Sequence, residues 1–371
     1  MSLLALSLVF WPVADWRGSA GNREAPGELA REAAEALRTA RVSGADSQAP
    51  LTLRWASEAY AAGLFQARRE ELRPRWLRDH REATAEFGAA VVWAERATRV
   101  AEQSFRRARG AAGAIVAQAS AGLAPLEGVE DIVWMSAGDR ANLQTARRLA
   151  RSASTLLAEG SHETSAERAR EATALSERVR EAIRRSTSRF GDQRRLVTWS
   201  AWVDETVAWS ARTGRAAVVI QKDEHRLTLY EGGRVAHTYA AELGWNNVGD
   251  KRIRGDGATP EGRYFVTEMK GRGSSRYHRA LLVDYPNAED DRALADLIRS
   301  GAVPRGTRAG GLIEIHGAGG RGRDWTDGCV ALTDREVEEL FARVSVGTPV
   351  TIVGGLTGSG SFSRVASRLS P

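Results

Sequence analysis

The hydrophobic period of this chain changes once, at Ala216, and that change limits what it can fold into. Upstream, over residues 24–213, apolar residues recur at helical spacing among Ala, Arg, Glu and Leu, with Pro26, Pro50, Pro74 and Pro125 as the hard breakers. Downstream, residues 217–221, 226–230 and 234–239 read as strands, with Arg226 to Tyr230 alternating polar and apolar, and Gly232-Gly233 sits where a tight hairpin turn is needed. The expectation is a multi-domain α + β protein: helical hairpins or a bundle over residues 23–214, then a mainly β, sandwich-like domain with one or two short helices over 215–354.

Helix boundaries follow from turn and cap residues. The spacing predicts a helix ending at Val42 before Gly44, another from Leu51, and a long one after Pro74 to about Ala121, interrupted at Gly110 and Gly113. Asp139, Ser161 and Asp192 are the expected caps of three further helices, the last closed by Gly214. Asn287 is expected to cap a helix over residues 288–299, and Thr333 with Glu336 forms a capping-box pattern. His80 and His162 lie in charged surroundings and read as solvated. The Gly/Ser-rich stretch 355–371 reads as a flexible tail.

The first residues hold an apolar run from Leu3 to Trp11 and small residues at Gly18, Ser19 and Ala20. That pattern predicts a signal peptide over 1–22, hence secretion to the cell envelope or periplasm; the run is too short to span a bilayer, and no integral membrane span is expected. The net charge of +6 comes mostly from arginines interleaved with glutamates, which describes ion-paired helix faces rather than a nucleic-acid surface. One cysteine in 371 residues excludes an intrachain disulfide and a cysteine-based metal site, and no cofactor or metal is expected.

That one cysteine is the chemical focus. Leu312, Ile313, Glu314 and Ile315 alternate like a half-buried strand and deliver His316 at its end. A glycine-rich loop follows, and Thr326, Asp327, Gly328 and Cys329 lead back to apolar Val330. An imidazole close to a lone thiol can take its proton, and the thiolate is the reactive nucleophile. Gly328 removes a side chain where a substrate carbonyl would approach the backbone. A lone cysteine is also, very often, a small buried apolar residue.

The segment resembles the active-site signature of the YkuD-type L,D-transpeptidases, a His-Gly pair followed by Ser/Thr-x-Gly-Cys, here His316-Gly317 and Thr326-Asp327-Gly328-Cys329. The opening strand meander and the Thr259-Pro260-x-Gly262-x-Tyr264 element also resemble that family. The likeness implies a cysteine acyltransferase acting on peptidoglycan stem peptides, with Cys329 as nucleophile and His316 as base. It implies a site shaped by Gly328, Thr326 and Gly317, with a backbone carbonyl as the partner that orients the imidazole, and substrate contacts from Trp325, Asp327, Arg323 and Tyr285. Ala331 stands where many members carry arginine, a trait shared with a Gram-negative subgroup that includes hydrolytic members. The readings to separate are therefore transfer, hydrolysis on the same substrate, and a non-catalytic wall-binding module. The helical region carries no catalytic signature and is expected to act as a spacer or to dock an envelope protein.

Overall fold

The structure is a computed structural model that describes residues 25–369. The expected signal peptide lies outside the described residues. Two compact units divide at Ala111/Ala112.

The first unit contains α1 (Gly27–Val42), the single turn α2 (Ala45–Gln48), α3 (Pro50–Glu71) and the start of α4 (Arg81–Leu123). Its cores are alanine-rich: Leu37, Ala40, Leu53, Ala56, Ala94 and Ala97 form one cluster, and Ala33, Ala83, Phe87 and Ala90 another. Small residues let helix backbones approach closely, and Gly63 accepts the Phe87 ring where a Cβ would lie 2.8 Å from it. His80, expected at the surface, is buried at the start of α4. The helix also runs through Gly110 and Gly113 without a break, because a single glycine costs only about 1 kcal/mol of helix propensity.

In the second unit, α5 (Ala137–Ala158) and α6 (His162–Thr187) form an antiparallel hairpin joined by the Ala150, Ala153, Ala169 and Ala172 stripe. The cap of α5 is Ser136 rather than Asp139: the Ser136 hydroxyl accepts from the Asp139 amide, and the Asp139 carboxylate accepts from that hydroxyl in return. Asp192 and Gly214 bound α7 (Gln193–Thr213) as expected, with Gly214 left-handed at φ 71°.

The strands follow: β1 (Ala216–Gln221), β2 (Arg226–Glu231), β3 (Arg234–Ala240), β4 (Gly262–Lys270), β5 (Ala280–Val283), β6 (Glu314–His316), β7 (Val330–Ala331) and β8 (Pro349–Val353). They form one eight-stranded sheet in the order β3-β2-β1-β8-β4-β5-β6-β7, antiparallel except at β1–β8 and β6–β7. β4 serves both halves: Gly262 to Phe265 pair with β8, and the register then shifts so that its second half pairs with β5. Beyond β3 the chain returns to the opposite edge, where the Glu242 amide donates to the Ala331 carbonyl at 2.9 Å and the Glu242 carbonyl accepts from the Ala331 amide at 2.8 Å. The sheet therefore closes on itself, which leaves fewer unpaired edge groups.

Both faces of the central strands are covered. Val218, Ile220, Val350 and Ile352 point into a core closed by α9 (Asp334–Phe341), whereas Val219 and Val353 meet Val179, Ile183, Trp199 and Val203 from α6 and α7. This is why the compact unit extends well upstream of the change in periodicity. Beneath the helices a buried charge cluster joins the layers. Lys222 donates to the carbonyl of Thr259 at 2.8 Å and to the Glu261 carboxylate at 3.1 Å, and Arg189 pairs with the other oxygen of Glu261. Burial lowers the Lys222 pKa and the Glu261 charge opposes that shift.

The stretch expected to be a mobile tail is instead α10 (Ser361–Leu369). Buried Asp223 accepts from the Ser363 hydroxyl at 2.5 Å and from the amides of Phe362 and Ser363, and Phe362, Val365 and Leu369 fill the second core. Its apolar residues recur at helical spacing, a pattern that glycine and serine in the same stretch obscure. Phe362→Ala should cost the second unit about 3–5 kcal/mol in a chemical-denaturation experiment. A midpoint unchanged from the parent protein would mean that α10 is not part of the core.

Candidate active site

β6 and β7 are parallel neighbours, with Ile315 beside Val330 and His316 beside Ala331. Side chains alternate across a strand, so Ile315 and Val330 enter the core while Glu314, His316, Ala331 and, by the same alternation, Cys329 share the other face. The ring of His316 is 1% exposed. Its Nδ1 lies 2.6 Å from the Gly317 carbonyl, which can only accept, so Nδ1 carries the proton and Nε2 keeps its lone pair. Tyr277 stacks on the imidazole at 4.1 Å with an 18° interplanar angle, and Trp325 meets it edge-on at 5.9 Å. Burial lowers the His316 pKa, against the pull of the Gly317 carbonyl and the Glu314 charge, and so favours the neutral base.

Cys329 is half-buried. Its Sγ accepts from the Glu314 amide at 3.4 Å and donates to the Leu312 carbonyl at 3.6 Å. These are its hydrogen-bond partners among the described residues; His316 is not one of them. Burial pushes the thiol up to about 11, against the hydrogen bond from the Glu314 amide; the Glu314 charge adds to the shift and Lys251 opposes it. Thiol and imidazole are therefore both neutral here, not a preformed ion pair. The backbone on either side of β6 is unusual: Leu312 and Ala318 have φ of 58° and 64°, values that few side chains tolerate.

The loop before Cys329 is internally stitched. Thr326 Oγ1 donates to the Cys329 carbonyl at 2.7 Å and accepts from the Gly328 amide at 3.2 Å. Gly328 has φ 126°, and a Cβ there would lie 2.6 Å from the Ala258 carbonyl, so the loop over β4's approach is what requires glycine. Gly317 is equally constrained, between Asp334 and the Tyr277 carbonyl.

Residues 215–352 match the family model of YkuD, the L,D-transpeptidase catalytic domain. Over 133 residues the chain is 29% identical to the Escherichia coli K12 protein YafK, whose own L,D-transpeptidase assignment is provisional; the match covers 34% of this chain and 46% of YafK. Among solved structures it is similar to Bdellovibrio bacteriovorus Bd1075 (22% identity, 42% of this chain and 54% of that one, TM-score 0.29). It is also similar to Mycobacterium tuberculosis L,D-transpeptidase 1 (18% identity, 38% and 62%, TM-score 0.24). The chain thus spans about half the length of YafK and of Bd1075.

Around Cys329 and His316 lie residues that the spacing did not single out. Asp324 is held by three donors: the Leu243 amide at 2.7 Å, His225 Nε2 at 2.8 Å and Asn247 Nδ2 at 2.8 Å. Burial works to raise its pKa, but those hydrogen bonds prevail and lower it. Glu242 receives the Trp325 indole at 2.8 Å and the Gly322 amide at 2.6 Å, and Arg321 lies 3.4 Å above the Trp325 ring. Tyr277 gave no sequence signal because it belongs to no motif; only the fold brings it to His316.

Of the expected substrate contacts, Trp325 adjoins His316, and exposed Asp327 accepts from the Trp245 indole at 3.2 Å. Arg323 lines a cleft of about 1270 Å³ together with Trp134, Trp245 and Asp324. Tyr285 is not a contact: it is a core residue, packed edge-on to Tyr264, with its hydroxyl donating to the Ala309 carbonyl at 3.2 Å. Because Cys329 is the only thiol, alkylation by iodoacetamide reads it alone. The rate, followed by intact mass, should keep rising tenfold per pH unit through the ordinary thiol value of 9.0, levelling off only near 11. A plateau below neutral pH would instead reveal a thiolate–imidazolium pair.

Proposed function

We propose that this protein is a peptidoglycan L,D-transpeptidase that works through a thioester on Cys329. The observation that carries the reading is the shared strand face: a neutral imidazole with its Nε2 lone pair available, on β6, beside the parallel strand that begins at the thiol. Cys329 Sγ attacks the carbonyl of the third, diamino-acid residue of a stem peptide as His316 Nε2 takes the thiol proton. The Gly328 amide is already committed to Thr326, so the Cys329 amide is the backbone donor beside the thiol that meets the oxyanion. Collapse forms the thioester and expels the terminal D-amino acid, whose amine leaves with the proton from His316. An acceptor amine then attacks the thioester, its proton passes to His316, and the thiol is regenerated.

An amine from another stem gives a 3-3 cross-link, a protein or amino-acid amine gives attachment, and water gives hydrolysis; all three share the acyl-enzyme. A thiol and an imidazole base on the same strand face speak against a module that only binds the wall, which needs no thiol there. The reaction belongs in the cell envelope, on the periplasmic side, where peptidoglycan lies. Among the described residues no helix is long and apolar enough to cross a membrane. Exposed Phe65, Leu72 and Trp76 in the first unit support docking to an envelope protein partner.

Incubation with a carbapenem or with muropeptides should give a covalent mass adduct on Cys329. Cys329→Ala should abolish it, and His316→Ala should lower its rate by about 10²–10⁴-fold, the usual contribution of a positioned base. Muropeptide retained without any adduct would establish the binding-module reading. Where turnover occurs, the ratio of cross-linked to trimmed product separates transfer from hydrolysis.

A further inference from the structure

The chain between α4 and α5 belongs to the helical region by sequence, yet it walls a cleft of the YkuD domain. Val129, Val133 and Met135 are buried in the second core, and between the last two the alternation turns Trp134 outward. The loop is held from the catalytic side by Asn247. Its Oδ1 accepts from the Trp134 amide at 3.0 Å, and its Nδ2 donates to the Ile132 carbonyl at 2.9 Å and to Asp324 at 2.8 Å. Asn247 is itself buried, so this is a built junction rather than a surface contact.

The clamp brings Trp134 to Trp245, with ring centroids 5.4 Å apart and an interplanar angle of 49°. Both rings are half-buried and line the cleft of about 1270 Å³. Its walls carry more carboxylates, among them Asp131, Glu242 and Glu336, than the guanidiniums of Arg140 and Arg323. Trp245 also ties this wall to the loop before Cys329: its indole donates to Asp327, two residues before the thiol.

We propose that this cleft binds the glycan strand of the substrate, with Trp134 and Trp245 as the platform for a pyranose ring. The inference rests on the peptidoglycan reading above. The C–H face of a sugar carries partial positive charge and packs on the negative face of an indole. Its hydroxyl and acetamido N–H groups are donors that suit carboxylate acceptors. A polyphosphate or a nucleic acid would meet more negative than positive charge on these walls. The helical loop then selects stems that are still attached to sugar, which a bare YkuD domain lacking Trp134 would not distinguish.

The test uses the full chain carrying Cys329→Ala, so that nothing is turned over, and two titrants followed by calorimetry. One is chitotetraose, a peptide-free N-acetylglucosamine oligomer; the other is a glycan-free stem tetrapeptide. Chitotetraose should bind saturably, and adding Trp134→Ala should weaken it about ten-fold or more, the effect of losing one ring-stacking contact. Trp134→Phe should restore most of the affinity, and circular dichroism should show both variants folded. No chitotetraose binding at millimolar concentration, or equal binding by Trp134→Ala, overturns the proposal. So does a Trp134→Ala loss that falls on the tetrapeptide and spares the sugar. Trp134-dependent sugar binding in a protein whose native form makes no Cys329 adduct would sustain the glycan cleft while removing the catalytic reading.

Discussion

The reciprocal hydrogen bonds between Glu242 and Ala331 hold the site together. They join the chain leaving β3 to the strand that follows Cys329, and the pairing continues past them. The amides of Trp325 and Thr326 both donate to the Leu243 carbonyl, and the Trp245 amide donates to the Thr326 carbonyl. A glycine-rich segment, which by itself loses much entropy on ordering, is thereby fixed on one side by a backbone ladder and on the other by Thr326. The same residue, Glu242, uses its backbone to close the sheet and its carboxylate to hold Trp325. Ala331 is fully buried in this ladder. A long cationic side chain there would have to find space where the strand meets its neighbours.

Electrostatically the site is quiet at its centre and busy at its rim. His316 and Cys329 are kept neutral by burial, whereas Asp324, Glu242 and Glu314 remain in contact with donors. A neutral pair suits a proton that moves only when a carbonyl is in place, since the buried charges of an ion pair would need compensation at all times. Stacking by Tyr277 and the Gly317 carbonyl fix the ring's plane and its tautomer, and in a rigid imidazole that also fixes where Nε2 points.

Much of this was legible in the residues. The switch at Ala216, the turn at Gly232-Gly233, the caps at Asp192, Asn287 and Thr333, and the His316 and Cys329 strand ends all announce themselves through local chemistry. A backbone carbonyl was expected to orient the imidazole, and the fold makes it that of Gly317. What stayed hidden depends on distance along the chain. Tyr277, Asp324 and Asn247 acquire their roles from partners brought by the fold, and Tyr285 loses its expected one because its register turns it into the core. Gly328 was legible as a necessity but not for its reason, since Ala258 is 70 residues upstream in the sequence and only the loop before β4 places its carbonyl there. The tail misled for a simpler cause: composition outweighed periodicity.

The boundaries of the recognised catalytic segment and of the cooperative structure do not coincide. Residues 215–352 contain Val219, Val353's neighbour Ile352, Lys222 and Glu261, but Trp199, Phe362 and Arg189, which cover the outer face of β1 and neutralise that cluster, lie outside the segment on both sides. A sheet segment whose outer face is covered by flanking helices would, if excised alone, expose the apolar side of β1 and leave Glu261 without Arg189.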